Sequence, residues 1–203
     1  MIDRIAGVIL AGGLARRMGG GDKGQLEVGG RPILGHVIER LMPQTQALII
    51  NANGEPSRFA AYGLPIVADS IPGSAGPLAG VLAGVDWASL HGFAAIVTAA
   101  TDTPFLPRDL VARLVEAAEM SHCDLAVAAS AGQSHPVIGL WPTRLKDDLR
   151  QALASGVRKV DDWTGRHKLA VAEFEVDPVD PFFNANRPRD LREAEALLSR
   201  LNS

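Results

Sequence analysis

A chain of 203 residues has the length of one folded domain, and 47% apolar with 21% charged residues supply ample material for a packed core. Glycine (21) and proline (13) together stay below the share that marks low-complexity disorder. A net charge of −3 and an aromatic content of 5% exclude a basic field or a base-stacking platform for nucleic acid.

In chain order, Ile5–Leu10 is a continuous apolar run of strand length, followed by a glycine-rich stretch. Gln25–Val28 and Gly29-Gly30 read as a short strand and turn, and Ile33–Leu41 as a helix. Ala47–Ile50 and Pro65–Ala68 are further strands; a helix over Pro77–Trp87 precedes a strand at Phe93–Ala99. Leu110, Val111, Leu114, Val115 and Ala118 fall on one side of a helix that has Pro107 and Asp109 at its start. Leu125–Ala129 and Val137–Trp141 read as strands, Leu145–Ala154 as a helix and Leu169–Glu175 as a strand. A last helix, from about Arg189 to Leu201, follows the loop Asp177–Pro188. Apolarity that is continuous rather than alternating predicts strands buried on both faces. The expected fold is therefore α/β: a doubly wound, mostly parallel sheet flanked by helices, in one domain over residues 1–203.

Cys123 is the single cysteine, which excludes an internal disulfide and a cysteine-built zinc cluster. No apolar run approaches the roughly 20 residues of a membrane-spanning helix. Arg16-Arg17 follows the first apolar run instead of preceding it, unlike a twin-arginine export signal. A cytoplasmic protein without membrane or nucleic-acid partners is expected.

The stretch Leu10–Gly24 reads LAGGLARRMGGGDKG, with six glycines among the 13 positions from Gly12 to Gly24. Glycine allows positive φ and close approach of backbone N–H groups to a ligand. Those groups, with Arg16, Arg17 and Lys23 at the carboxyl end of a strand, make a phosphate cradle. It is not a P-loop, because Lys23 is followed by Gly24 and not by a Ser or Thr that could reach Mg²⁺. The literal GxGxxG at Gly19, Gly21 and Gly24 comes about nine residues after the strand, too late for a dinucleotide fingerprint. A flexible linker would carry Ser and Gly without three interspersed cations.

Polar residues stand at other strand ends. Asp102 follows a buried run at a rim where a carboxylate can hold Mg²⁺ with substrate phosphates, while Asp109 suits the local helix start. Asn51 and Asp69 each end a strand, where turn chemistry and nucleotide contact are both open. Asn184 and Asn186, at i and i+2, would point the same way in an extended segment; a pair of turn-forming asparagines has the same pattern. The five histidines show no metal-site spacing, and His135, before Pro136, reads as structural or substrate-facing. No GxSxG elbow exists, and Trp87, Trp141 and Trp163 read as packing residues.

LAGG, RMGG and DKG in that order resemble the molybdenum cofactor guanylyltransferases, nucleotidyltransferases that build the dinucleotide form of that cofactor. The resemblance continues through Gly76-Pro77-Leu78-Ala79-Gly80, Thr101-Asp102-Thr103-Pro104-Phe105, His135-Pro136 and Asn184-Ala185-Asn186. It implies a Rossmann-like nucleotidyltransferase fold with Leu10, Ala11, Gly12 and Gly13 around the nucleotide and Lys23 on its phosphates. Asn51 and Asp69 become nucleotide contacts, Asp102 the Mg²⁺-binding aspartate, and Asn184 and Asn186 residues of the pterin or metal side. GTP and molybdopterin are the implied substrates, with Lys23, Arg16 and Asp102 as the catalytic set; cofactor-assembly proteins and acceptor molybdoenzymes are implied partners.

Four other readings compete. Cytidylyl-transferring relatives tend to carry LAAG, whereas Gly12 here leaves room for a purine. Sugar-1-phosphate nucleotidyltransferases usually show GxGTR where this chain has Gly13-Leu14-Ala15-Arg16-Arg17. An NAD-dependent oxidoreductase would need an acidic residue at Asn51. Against a non-catalytic nucleotide-binding protein stand Asp102 and Lys23.

Overall fold

The structure, a computed structural model, describes residues 3–12, 25–71, 76–185 and 187–201. Its frame is a seven-stranded sheet built from β1 (Ile5–Leu10), β4 (Ala47–Asn51), β5 (Ile66–Val67), β6 (Ala95–Ala100), β7 (Leu125–Ser130), β8 (Gln133–Pro142) and β9 (Leu169–Phe174). The strand order is β5-β4-β1-β6-β8-β7-β9, and every neighbouring pair is parallel except those made by β8. A small hairpin of β2 (Glu27–Val28) and β3 (Arg31–Pro32) stands apart from this sheet.

Alternate residues of each strand serve two cores, because successive side chains point to opposite faces. Ile5 and Ile9 of β1 join the core under α1 (Ile33–Leu41) and α3 (Leu110–Met120), to which α6 (Pro188–Leu201) adds Ala194. Ala6, Val8 and Leu10 join the core under α2 (Pro77–Leu90), α4 (Lys146–Ala154) and α5 (Val160–Thr164). Both sheet faces are thus covered, which accounts for the continuously apolar strands. Trp141 and Trp163 meet in the second core with ring centroids 6.0 Å apart, and Trp87 stacks on His91 nearer the surface.

The helix α2 is apolar on nearly all sides, since the sheet covers one side and α4 another. Gly80 and Gly84 share its sheet-facing side: a Cβ on Gly84 would lie 2.8 Å from Val8 Cγ2. Their lack of side chains sets how closely the helix approaches the strands.

Several sequence expectations need correction. The strand at Pro65–Ala68 shortens to Ile66–Val67 at the sheet edge, where among the described residues it pairs with β4 alone. The strand expected at Val137–Trp141 is longer and antiparallel. It returns from β7 through a two-residue turn with positive φ at Ala131 (50°) and Gly132 (73°), which can join only antiparallel neighbours. Two short elements, the 3₁₀ segment Pro56–Tyr62 and α5, carry too little periodicity to be read. Asp109 occupies the N-cap position of α3 but makes no capping hydrogen bond through its side chain.

Candidate active site

Parallel register places Val67, Asn51, Leu10 and Ala100 in one row across four strands. Two residues further along each segment come Asp69, Asn53, Gly12 and Asp102. This line runs along the carboxyl ends of the strands. Between β1 and β6 the chain order changes direction, and open α/β sheets bind ligands at that switch point.

On the β4–β5 side the polar residues form a clamp. The Asn51 amide donates to Val67 O (3.1 Å) and Asp69 Oδ1 (3.0 Å), so both of its protons are engaged within the protein. Asn53 Nδ2 donates to Asp69 Oδ2 (2.7 Å), and the Asp69 backbone N–H donates to Asn53 Oδ1 (2.9 Å). Asp69 is therefore fixed from both sides while its oxygens keep further lone pairs. Gly80 makes this possible, because a Cβ there would sit 2.3 Å from Asn51 Oδ1. Sequence reading singled out Asn51 and Asp69 but missed Asn53; its signal is the shared i+2 position beyond each strand end.

Leu10 and Ala11 are buried, with Ala11 N–H donating to Asn51 O at 2.8 Å. Gly12 is exposed, and a Cβ there would meet no described protein atom within 4 Å. Gly13, Arg16 and Lys23 lie outside the described residues, as does Asn186. Nearby, α2 opens with Gly76 (φ 104°), a conformation suited to glycine, and Pro77 at its first turn.

Asp102 is half-buried just beyond β6, and its carbonyl accepts from Ala185 N–H at 2.9 Å. That bond brings the Asn184–Ala185 segment to the strand end despite more than eighty intervening residues. Asp102, Asn184 and His135 share a cavity of about 350 Å³ whose other walls include Ala100, Thr103 and Val137. Burial lowers the His135 imidazole below the usual histidine range, against the upward pull of Asp180 and Glu173.

Among the described residues, no group of three or more His, Cys, Asp or Glu side chains forms a metal cage. A lone carboxylate suits Mg²⁺, which is commonly held by one or two carboxylates plus substrate phosphates and water. The donor set fits an ion that arrives with a polyphosphate, not one caged by protein alone.

Residues 7–170 match the MobA-like NTP transferase domain. The chain belongs to that family. A molybdenum cofactor guanylyltransferase from Bradyrhizobium sp. (strain ORS 278) is 59% identical over 196 residues, 95% of this chain and 92% of that protein. The solved structure of molybdopterin-guanine dinucleotide biosynthesis protein A from Archaeoglobus fulgidus aligns with a TM-score of 0.74 at 25% identity, covering 96% of this chain and 99% of that one. A 4-diphosphocytidyl-2C-methyl-D-erythritol synthase from Anaerococcus prevotii shares the fold, with a TM-score of 0.75 at 15% identity over 98% of each chain. Membership makes this chain a nucleotidyltransferase with a Rossmann-like fold, as the family resemblance implied. No helix among the described residues is long and apolar enough to cross a membrane.

Proposed function

We propose that this enzyme transfers GMP from GTP to the terminal phosphate of molybdopterin, releasing pyrophosphate and forming the guanine dinucleotide of the molybdenum cofactor. The observation that carries the reading is the 59% identity, across nearly the whole chain, to a protein named for that activity. The geometry agrees with it: a strand-end crevice with a carboxylate clamp on one side of β1 and a carboxylate beside a cavity on the other.

An acceptor phosphate oxygen forms a new bond to the α-phosphorus of GTP. The bond from that phosphorus to the bridging oxygen breaks, and pyrophosphate leaves with the electron pair. The acceptor is already anionic, so no protein nucleophile is required; the protein aligns the reactants and offsets their charge. Leu10–Gly13 would line the nucleotide, with Lys23 and Arg16 on the triphosphate and its leaving pyrophosphate. Asp69, held by Asn51 and Asn53, would accept hydrogen bonds from the nucleoside, which makes Asn51 a positioning residue. Asn184 and Asn186 would face the pterin. Asp102 would hold Mg²⁺, whose contribution when bound is Lewis-acid neutralisation of phosphate charge.

The same reading describes a cytoplasmic enzyme, one domain over residues 1–203, whose product passes to molybdoenzymes with or without other assembly proteins. Turnover with GTP, CTP and ATP at equal concentrations, each with molybdopterin, tests it. GTP should be used in clear preference, because Gly12, where a Cβ would meet no described atom within 4 Å, leaves room for a purine. Equal or better use of CTP would overturn the guanylyl assignment.

A further inference from the structure

Toward Asp102, the sheet opens. β6 and β8 pair only as far as Val97 and Leu140. The next residue, buried Thr98, uses its side chain: its hydroxyl donates to Val137 O (2.6 Å) and accepts from Trp141 Nε1 (2.7 Å). On its other edge, β8 pairs Gly139 with Val127 and then His135 with Ala128, so residues 136–138 arch out of the ladder. Between this arch and the end of β6 lies the cavity of about 350 Å³. One wall is His135.

The imidazole is held by a chain of polar groups reaching into the protein. Ser130, only 1% exposed, has its Oγ 2.8 Å from His135 Nε2 and 2.8 Å from Asp180 Oδ1. Asp180 Oδ1 also accepts from Phe182 N–H at 2.9 Å. A carboxylate only accepts, and a serine hydroxyl has one proton to give. The Ser130 proton therefore goes to Asp180, and His135 must supply the proton for its own bond to Ser130. Phe182 packs against the imidazole at 4.6 Å, with Phe174 edge-on behind it, which resists a ring flip. This order differs from a nucleophilic triad, in which the histidine would take the serine proton. Burial favours the neutral ring. A neutral ring with its proton on Nε2 has an unprotonated Nδ1.

We propose that His135 binds the acceptor substrate through Nδ1, a hydrogen-bond acceptor kept unprotonated by the Asp180–Ser130–His135 chain. The ligand chemistry it selects is an N–H-bearing heterocycle, the amino or lactam edge of a pterin. This deepens the proposed function and rests on it. Position separates the acceptor from the donor nucleotide: the Asn51–Asp69 clamp lies on β4 and β5, the His135 cavity lies between β6 and β8, and Asp102 stands between them. Ser130 and Asp180 are positioning residues.

The test uses the full chain and measures molybdopterin binding by pterin fluorescence separately from nucleotide turnover. His135→Gln can still reach Ser130 but offers nothing at the Nδ1 position, whereas His135→Asn places an amide oxygen there. Loss of one such bond should weaken molybdopterin binding about tenfold in His135→Gln while the KM for GTP stays within about twofold. His135→Asn should recover binding to within about threefold of wild type. Nitrogen-15 NMR should show the Nε2–H tautomer in the wild type and a mixture in Ser130→Ala. Unchanged molybdopterin binding in His135→Gln, an equal loss for both substrates, or a wild-type Nδ1–H tautomer each overturns the inference. Wild-type protein that binds molybdopterin through His135 but prefers CTP overturns the guanylyl reading alone; failure to bind molybdopterin overturns both.

Discussion

At the scale of single residues, Asp102 and Gly80 separate charge from space. Asp102→Asn keeps the volume at the end of β6 and one oxygen, but removes the negative charge that a hard divalent cation needs to compete with its hydration. Turnover at fixed Mg²⁺ should fall on the order of 10²-fold or more, with thermal melting close to wild type. Wild-type activity in the variant would make Asp102 a structural residue and place the metal elsewhere. Gly80→Ala sets two effects against each other. Helix propensity alone would favour alanine by about 1 kcal/mol, but its Cβ would lie 2.3 Å from Asn51 Oδ1 and 2.9 Å from Leu10 Cδ2. Both neighbours are buried on the sheet, so overpacking should win, at a net cost of about 1–3 kcal/mol. Denaturant unfolding would read that loss, and the KM for GTP should rise as the Asn51–Asp69 contact shifts. A variant more stable than wild type would mean that α2 can back away without strain.

At the scale of elements, β8 is the part of the sheet that makes room. At its arch the Thr98 hydroxyl satisfies both Val137 O, beside the cavity, and the buried Trp141 indole. Thr98→Val has nearly the same shape and cannot serve either partner. The buried indole and the part-buried Val137 O would then lack this partner, which costs about 1–3 kcal/mol for each group left unsatisfied. The urea midpoint should fall accordingly, and molybdopterin binding should weaken as the arch relaxes. An unchanged midpoint would show that the strand re-pairs without the hydroxyl. The last helix packs on the β2–β3 hairpin in a comparable way. Leu198 of α6 packs over Gly29 (φ 59°), in the turn of the β2–β3 hairpin that follows the glycine-rich segment. His36 Nε2 lies 2.9 Å from Val28 O and ties the same hairpin to α1.

At the scale of the whole molecule, stability should respond to mild acid through His135. Its folded-state proton affinity is lowered, chiefly by burial, so the unfolded chain takes up the proton more readily. Above the ordinary histidine value of about 6.5 neither state is protonated, and the group has no effect. As pH falls through that value toward the lowered one, protonation favours unfolding and stability is lost. Because the ring is only half-buried, the effect is partial. Melting temperatures measured from pH 7.5 to 5 should fall more steeply for wild type than for His135→Gln. Parallel curves would mean that the folded and unfolded states bind this proton alike.

Much of the molecule was legible before folding was considered. Continuous apolar runs such as Ile5–Leu10 marked buried parallel strands, because a strand covered on both faces has no solvent side to signal. Asn51, Asp69 and Asp102 were conspicuous as polar residues closing apolar runs. Tertiary structure decided what those residues meet. Asn53 looks like an ordinary turn residue until the β4–β5 register sets it against Asp69. The antiparallel course of β8 depends on a tight turn through Ala131, a residue that does not advertise positive φ. Ser130 and Asp180 are fifty residues apart in sequence, and only the tertiary fold makes them hydrogen-bonded neighbours. Local patterns record which side chains avoid water. Which polar groups then face one another depends on strand register and loop closure, and both are set by contacts distant along the chain.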